Sequence, residues 1–187
     1  IWEKVDFDKE GFKFVLSRGD VYSPILGTSV KSDLNKWYHF VLSRNGSAAS
    51  MFINGVRKNF ILKFDLFSQV LESNLIYIGR SKKESQENSF NGNIQDFRFF
   101  KGFSEYDNVD TFEVPTNLSS ACAEKSFEPN CIFTELHLQS DVNRGEVVDY
   151  ARNRNIYNQG NVKIVTSEII RGNSSFYFDK KSFLLIE

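Results

Sequence analysis

Apolar and polar side chains alternate with a period of two along most of the chain, in short runs separated by turn residues. Such alternation is typical of β-strands. The pattern predicts strands over residues 11–16, 37–43, 50–53, 75–79, 94–100, 132–138, 162–165, 175–178 and 183–186. Only residues 66–71 have the spacing of a helical turn. The sequence therefore predicts an all-β protein.

Two Asn-Gly pairs predict tight turns in the first half of the chain. Asn45-Gly46 and Asn54-Gly55 separate three apolar runs, and Asn-Gly favours two-residue hairpin turns because both residues tolerate positive φ. We therefore predict three antiparallel strands connected in sequence. The strand over 37–43 is apolar on both faces, which is typical of a strand covered by two layers.

The composition supports the same fold class. Phe is abundant, with 19 residues, and aromatic and β-branched side chains favour strands. Many short strands at close spacing indicate an antiparallel two-sheet jelly-roll sandwich. We predict that its core comprises Phe12, Phe14, Trp37, Val41, Phe52, Ile76, Ile78, Phe97, Phe99, Leu136, Leu138, Phe176, Phe178 and Leu184.

Charge and hydropathy exclude two classes of partner. Lys and Arg total 23 against 24 Asp and Glu, for a net charge of −1, so no excess positive charge favours nucleic acid or an anionic membrane surface. No apolar run approaches the length of a membrane span. We expect neither nucleic-acid binding nor membrane insertion.

The cysteines and the N-x-S motifs indicate an extracellular or cell-surface protein. Cys122 and Cys131 lie close together near two prolines, and we predict that a disulfide joins them; reduced thiols, or two ligands of a metal site, are the alternatives. The N-glycosylation acceptor motifs begin at Asn45, Asn117 and Asn173. A disulfide and glycosylation both point to an oxidising compartment.

Four blocks of sequence resemble laminin G-like domains of the concanavalin A-like lectin and glucanase superfamily. They are KWYHFVLSRNG at 36–46, MFING at 51–55, LIYIG at 75–79 and FNGNIQDFRFF at 90–100. The resemblance implies two antiparallel sheets packed face to face, an extracellular location, and an adhesive or carbohydrate-binding role.

The blocks that resemble the beginning of such a domain come at the end of the chain, within 132–187. Residues 1–105 then correspond to the later strands, and 106–131 to a disulfide-pinned connector. Either the chain is a circular permutant that folds on itself, or each partial domain is completed by other copies of the chain or neighbouring tandem domains. Unpaired strand edges accept strands from other molecules, and head-to-tail exchange builds filaments. Misplaced boundaries are a third explanation.

One acidic run contains the candidate catalytic residues for the alternative that the protein is an enzyme. Asp6, Asp8 and Glu10 alternate in the manner of the two carboxylates of a retaining glycosidase. The run precedes Gly11, where a polar hairpin end is the simpler interpretation. We therefore expect no catalysis.

Other polar or aromatic residues have structural explanations. We expect Trp37 to be a core residue and His39 to be a hydrogen-bonded strand residue. Asp96 and Arg98 are expected to form a solvent-screened surface pair. Arg18-Gly19-Asp20 spells an integrin-type tripeptide, and we expect it to be a turn at a strand end.

Three loops are rich in oxygen ligands. Their candidate ligand residues are Asp33, Asn35, Asn91, Asn93, Asp141 and Asn143. Calcium takes six to eight oxygen ligands, and none of the loops has the density of a dedicated site. We expect no cofactor, with Ca²⁺ as the alternative.

Taken together, these observations predict a non-enzymatic extracellular adhesion or structural module that acts through protein–protein assembly, as in a filament or surface structure linked by strand exchange. A lectin-like carbohydrate-binding module is the alternative, and a β-glucanase is the weaker one. The ligand is predicted to be a glycan or an extracellular protein.

Overall fold

The computed structural model describes residues 5–8, 11–18, 21–27, 33–61, 76–80, 89–102, 104, 106, 108–117 and 133–187; for residues up to 27, and for residue 61, it describes the backbone only. All regular secondary structure in these ranges is β-strand, and every strand pair is antiparallel. The all-β, antiparallel prediction is confirmed. The predicted helical turn at 66–71 and the side chains of Phe12 and Phe14 lie outside the described part.

The chain forms two compact units. The first unit contains the described residues of Ile1–Ser73 and Ser104–Val114, and the second contains those of Asn74–Phe103 and Pro115–Glu187. Each unit is therefore built from two separate stretches of chain.

The first unit contains two three-stranded sheets in which the strands follow one another in sequence. Their strands are β1 (Val5–Asp8), β2 (Gly11–Arg18) and β3 (Val21–Gly27) in one sheet, and β4 (Phe40–Asn45), β5 (Ala48–Ile53) and β6 (Val56–Ile61) in the other.

Of the two turns predicted in the β4–β6 sheet, one lies where the sequence placed it and the other does not. Asn54 and Gly55 have φ of 51° and 76°, as a type I′ turn requires, so this prediction is confirmed. In the other turn, Asn45 pairs with Ala48, and the loop is Gly46-Ser47 with Gly46 at φ 56°. This turn lies one residue later than predicted, because a glycine at the first central position suits a type II′ turn.

Strand β4 begins at Phe40, three residues after the predicted start. The cause is visible at His39, whose amide donates to Asn54 Oδ1 at 2.9 Å and whose carbonyl accepts from the Asn54 amide at 2.8 Å. A turn residue thus takes the bonds that a neighbouring strand would supply. Trp37 is only half-buried.

Segment 104–114 packs on the β4–β6 sheet. Phe52 is fully buried, and its ring lies 5.4 Å from that of Phe112 and 6.1 Å from that of Tyr106. An isolated bridge joins Val56 to Thr111. The rings of Tyr106 and Phe112 therefore cover the buried Phe52 side chain of the first unit.

The second unit contains three three-stranded sheets. Its strands are β7 (Ile76–Ile78), β8 (Gly92–Ile94), β9 (Phe97–Phe100), β10 (Thr134–Asp141), β11 (Glu146–Asp149), β12 (Ile156–Gln159), β13 (Lys163–Val165), β14 (Ser175–Phe178) and β15 (Phe183–Ile186). The strand orders are β11-β10-β9, β12-β15-β7 and β13-β14-β8. Each sheet joins one strand from before residue 101 to two from the last third of the chain.

One hydrophobic core connects the three sheets. It consists of Ile78, Leu136, Leu138, Val162, Phe176, Phe178, Leu184 and Ile186. All but Val162 and Ile186 were in the predicted core, and the predicted core residues Ile76, Phe97 and Phe99 pack against it while partly exposed. Sheets whose side chains meet in one core are consistent with the predicted β-sandwich. The described residues include no helix that could cross a membrane.

The predicted strand over 94–100 is interrupted. Strand β8 ends at Ile94 and β9 begins at Phe97, and between them Asp96 has a φ of 59°. A residue in the left-handed region cannot continue a strand ladder. The continuous strand was a wrong prediction, and the break places Gln95 and Asp96 at the candidate site.

Candidate functional site

A cleft of about 520 Å³ opens in the second unit. Its walls come from three segments: the β8–β9 break, the end of β10 with the turns that follow it, and the β13–β14 loop. The lining residues are Gln95, Asp96, Gln139–Asn143, Tyr150, Thr166 and Gly172–Ser174. Most of these side chains carry an amide, hydroxyl or carboxylate group.

The side chain of Gln95 fixes the β13–β14 loop. Its Nε2 donates to the carbonyls of Ser174, at 2.7 Å, and Arg171. Its Oε1 accepts from the amides of Arg171 at 2.9 Å and Ile170 at 3.3 Å. Both ends of one amide group therefore attach the loop to the β8–β9 break.

Asp96 is a buried, charged residue of the cleft. Its side chain is 7% exposed, and its Oδ1 lies 2.9 Å from Nε2 of His137, which is itself 1% exposed. Arg98 donates to both carboxylate oxygens. The expected surface pair with Arg98 is wrong in its location, because the break in the strand turns Asp96 toward buried His137.

The environment of Asp96 keeps it ionised. Burial by itself raises the pKa of Asp96, but the hydrogen bonds from His137 and Arg98 and the positive charge of Arg98 outweigh burial and hold this pKa well below its usual range. A carboxylate can only accept hydrogen bonds, so His137 donates from Nε2. Asp96 is thus a permanent hydrogen-bond acceptor at the cleft.

A second buried carboxylate positions Tyr150. Asp149 is 3% exposed, and it accepts hydrogen bonds from four backbone amides, those of His137, Ala151, Arg152 and Arg154, at 2.9–3.3 Å. The Tyr150 amide also donates to the His137 carbonyl at 2.8 Å. These bonds fix the main chain of the turn after β11, from which Tyr150 lines the cleft.

The turn after β10 is held by its own aspartate. Asp141 Oδ1 accepts from the amides of Asn143 at 3.0 Å and Arg144 at 3.2 Å, and Arg144 Nε lies 3.5 Å from Oδ2. The side chain of Asn143 is exposed and forms no hydrogen bond within the described part of the chain. It is free to contact a ligand in the cleft.

The structure brings only two of the six predicted loop ligands to the cleft, Asp141 and Asn143. Asn91 accepts a hydrogen bond from Tyr177 Oη at 3.1 Å, and Asn93 Oδ1 lies 3.3 Å from Ser175 Oγ. Neither of them lines the cleft.

Asp33 and Asn35 belong to the first unit. Asp33 pairs with Lys36 at 2.6 Å, and its amide donates to Tyr38 Oη. Asn35 has a φ of 60°. Within the described ranges, no group of three or more His, Cys, Asp or Glu residues could hold a metal ion.

The acceptor asparagines lie at three different places. Asn45 and Asn117 are exposed, and Asn173 lines the cleft. Cys122 and Cys131 lie outside the described residues, so the predicted disulfide stays a prediction.

The described residues of the acidic run and of the Arg18-Gly19-Asp20 tripeptide belong to the first unit, as does His39. Asp6 and Asp8 are in β1, with Asp8 opposite Gly11 at the hairpin end, while Glu10, Gly19 and Asp20 are outside the described residues. The ring of His39 contacts Phe112 edge-on, at 5.7 Å between centroids.

A laminin G family model, described as the concanavalin A-like lectin/glucanases superfamily, matches residues 4–107, more than half of the chain. The chain belongs to this superfamily. None of the curated proteins and none of the solved structures compared with the chain matches it.

Membership in the concanavalin A-like superfamily confirms the resemblance seen in the four sequence blocks. It supports a carbohydrate-binding or adhesion-type module. Of the cleft residues, the match to the concanavalin A-like model includes Gln95 and Asp96. The other walls come from the last third of the chain.

Several cleft residues were not found from sequence: Gln95, Gln139, Ser140, Tyr150, Thr166 and Ser174. Single polar residues in or beside an alternating strand look like ordinary solvent-facing positions. Their proximity depends on β8, β10 and β14 coming together, and no local pattern carries that information.

Proposed function

We propose that the chain is a non-enzymatic, extracellular binding module whose cleft binds an uncharged, hydroxyl-rich carbohydrate. The observation that carries the proposal is the cleft lining, which combines residues that bear amides, hydroxyls and carboxylates with one tyrosine, Tyr150. Sugar hydroxyls both donate and accept hydrogen bonds, and the apolar face of a sugar ring packs on an aromatic ring. The volume of about 520 Å³ lies within the range of small-ligand sites, about 300–1,000 Å³.

The charge of the cleft favours an uncharged sugar over a sulfated or carboxylated one. No Lys or Arg is among the described residues that line the cleft. Arg98 and Arg144 lie nearby, but each pairs with a cleft carboxylate, Asp96 and Asp141, respectively. Because Asp96 and Asp141 take the charge of these two arginines, neither offers an uncompensated positive charge to an anionic ligand.

The state of Asp96 argues against its acting as the general acid of a glycosidase. A glycosidase needs one carboxylic acid that is protonated at working pH. His137 and Arg98 hold the pKa of Asp96 well below its usual range, although burial alone would raise it. Asp96 therefore suits binding rather than proton donation.

The proposal includes a location outside the cell or at its surface, and assembly with other copies or with neighbouring tandem domains. The location follows from the laminin G-like resemblance, and the assembly follows from the inverted order of the sequence blocks that carry that resemblance. Light scattering over a range of concentrations tests the assembly: a mass that rises with concentration supports it, and a constant monomer mass refutes it without affecting carbohydrate binding.

A glycan array tests the proposed ligand class. We expect binding to uncharged oligosaccharides, and we expect Asn143→Ala to weaken that binding about three- to tenfold, the effect of one lost hydrogen bond. Asn91→Ala is the matched control, because Asn91 is an exposed asparagine of the same unit that does not line the cleft. A silent array, or equal effects of the two variants, would refute the proposal.

A further inference from the structure

The acceptor motif Asn173-Ser174-Ser175 is part of the cleft wall. Asn173 is exposed, lines the cleft, and forms no side-chain hydrogen bond within the described residues. Its amide nitrogen is therefore available on the side from which a ligand enters.

We propose that Asn173 carries an N-linked glycan that occupies the cleft and blocks ligand binding. In this modification the Asn173 Nδ2 atom forms a bond to the anomeric carbon of an oligosaccharide carried on a polyprenyl diphosphate. The bond from that carbon to the diphosphate oxygen breaks, the lipid diphosphate leaves with the electron pair, and Nδ2 loses one proton to a base. The blocking role rests on the proposed carbohydrate site.

The backbone on each side of Asn173 is fixed, so an attached glycan begins inside the cleft. Ser174 is 5% exposed, its Oγ lies 2.5 Å from Ser140 Oγ, and its carbonyl accepts from Gln95. Gly172 on the other side also lines the cleft, with a φ of 62°. These contacts keep the main chain of Asn173 at the cleft wall, so the first sugar of an attached glycan lies next to the cleft.

Because the third residue of the motif, Ser175, is buried in the folded unit, glycosylation has to occur before folding. Ser175 is fully buried, and its Oγ donates to the Glu168 carbonyl at 2.5 Å. The acceptor motif requires this hydroxyl residue, and in the folded unit a transferase has no access to it. Modification must therefore precede folding of the second unit, and each molecule is blocked or open from its synthesis onward.

The chain provides its own control motif. Asn45 begins an acceptor motif on an exposed turn of the first unit, and it does not line the cleft. A glycan at Asn45 adds similar mass and polarity to the protein, but it does not start in the cleft.

The experiment compares wild type, Asn173→Gln and Asn45→Gln, each made in bacteria without the transferase and each secreted from a glycosylating eukaryotic host. Peptide mass spectrometry measures occupancy at each asparagine. Affinity is measured for the uncharged oligosaccharide that the bacterial chain binds best on the array.

We expect the modified wild-type and Asn45→Gln molecules to bind at least tenfold more weakly than the same chains made in bacteria, and secreted Asn173→Gln to bind as Asn173→Gln made in bacteria does. An unmodified Asn173 in the secreted protein, or equal affinity of the modified and the bacterial wild type, would overturn the proposal.

If the bacterial chain binds no glycan, the proposed function fails, and hydrogen exchange then tests occupancy of the cleft separately. Slower exchange of the amides at 142–145 in the modified wild type than in secreted Asn173→Gln supports a glycan in the cleft. Equal rates refute it.

Discussion

The two units are built from contacts at different distances along the chain. In the first unit β4, β5 and β6 are consecutive and connected by two-residue turns. In the second unit Ile76 pairs with Ile186, and Ile94 pairs with Phe176. Distant pairs form only after long loops close, and that closure is slow and entropically unfavourable. The cleft therefore exists only once both ends of the second unit have met.

The units also differ in what they bury. The buried side chains of β4–β6 are apolar or small, such as Met51, Phe52 and Ser50, whereas the second unit buries His137 and Asp149. A buried charged group is stable only when its hydrogen bonds are complete. The second unit is thus more sensitive to the loss of any one segment.

The largest expected effect comes from removing the C-terminal tail, residues 129–187. In a chain ending at residue 128, strands β7, β8 and β9 lose their partners β15, β14 and β10. We expect hydrogen-exchange protection to disappear at Phe97–Phe100 while it persists at Met51–Ile53. Retained protection at Phe97–Phe100 would show that the second unit does not need the tail.

A smaller effect is expected from a single core truncation. Phe176 is fully buried, so Phe176→Ala should lower the unfolding free energy of the second unit by about 3–5 kcal/mol. Phe60 is 42% exposed, and Phe60→Ala should lower that of the first unit by less than about 1 kcal/mol. Urea unfolding followed by hydrogen exchange measures the unfolding free energy of each unit separately. Similar decreases in the two variants would contradict the difference in burial between Phe176 and Phe60.

The smallest expected effect is a pH dependence confined to the second unit. Because His137 and Arg98 hold the pKa of Asp96 below its unfolded value of 3.8, against the effect of burial, Asp96 stabilises the fold above about pH 4. This stabilisation, about 1.5–3 kcal/mol for a hydrogen-bonded charge, should be lost as pH falls through the folded pKa.

Acid titration of exchange protection at Phe97–Phe100, with Met51–Ile53 as internal reference, measures this loss. Asp96→Asn should reduce the difference in exchange protection that develops between these two regions below pH 4. An unchanged profile in that variant would mean that other carboxylates cause the acid sensitivity.

The sequence revealed the strands that alternate strongly and missed those that do not. The predicted bounds of β14 and β15 agree with the structure, because apolar residues at every second position follow directly from strand geometry. Strands β11 and β12 are short and partly polar, so no alternation stands out. Their pairing with β10 and β15 is a tertiary property.

The site was less predictable than the fold. Asp141 and Asn143 were identified because polar loop residues after a strand are visible in sequence. The burial of Asp96 was not, since it depends on His137, which lies 41 positions later in the chain. The positive φ of Asp96 likewise has no clear signature: Asp adopts this region more often than most non-glycine residues do, but only a small fraction of aspartates do so.

The bonds of Gln95 have a consequence for how the cleft can change over evolution. They reach only main-chain atoms of Ile170, Arg171 and Ser174, so the path of this loop does not depend on the identity of the exposed side chain at position 170. Asn173 lines the cleft in the same loop, so substitution of Asn173 can change specificity on an unaltered main chain. A ligand meets a main chain that is already ordered, which lowers the entropy lost on binding.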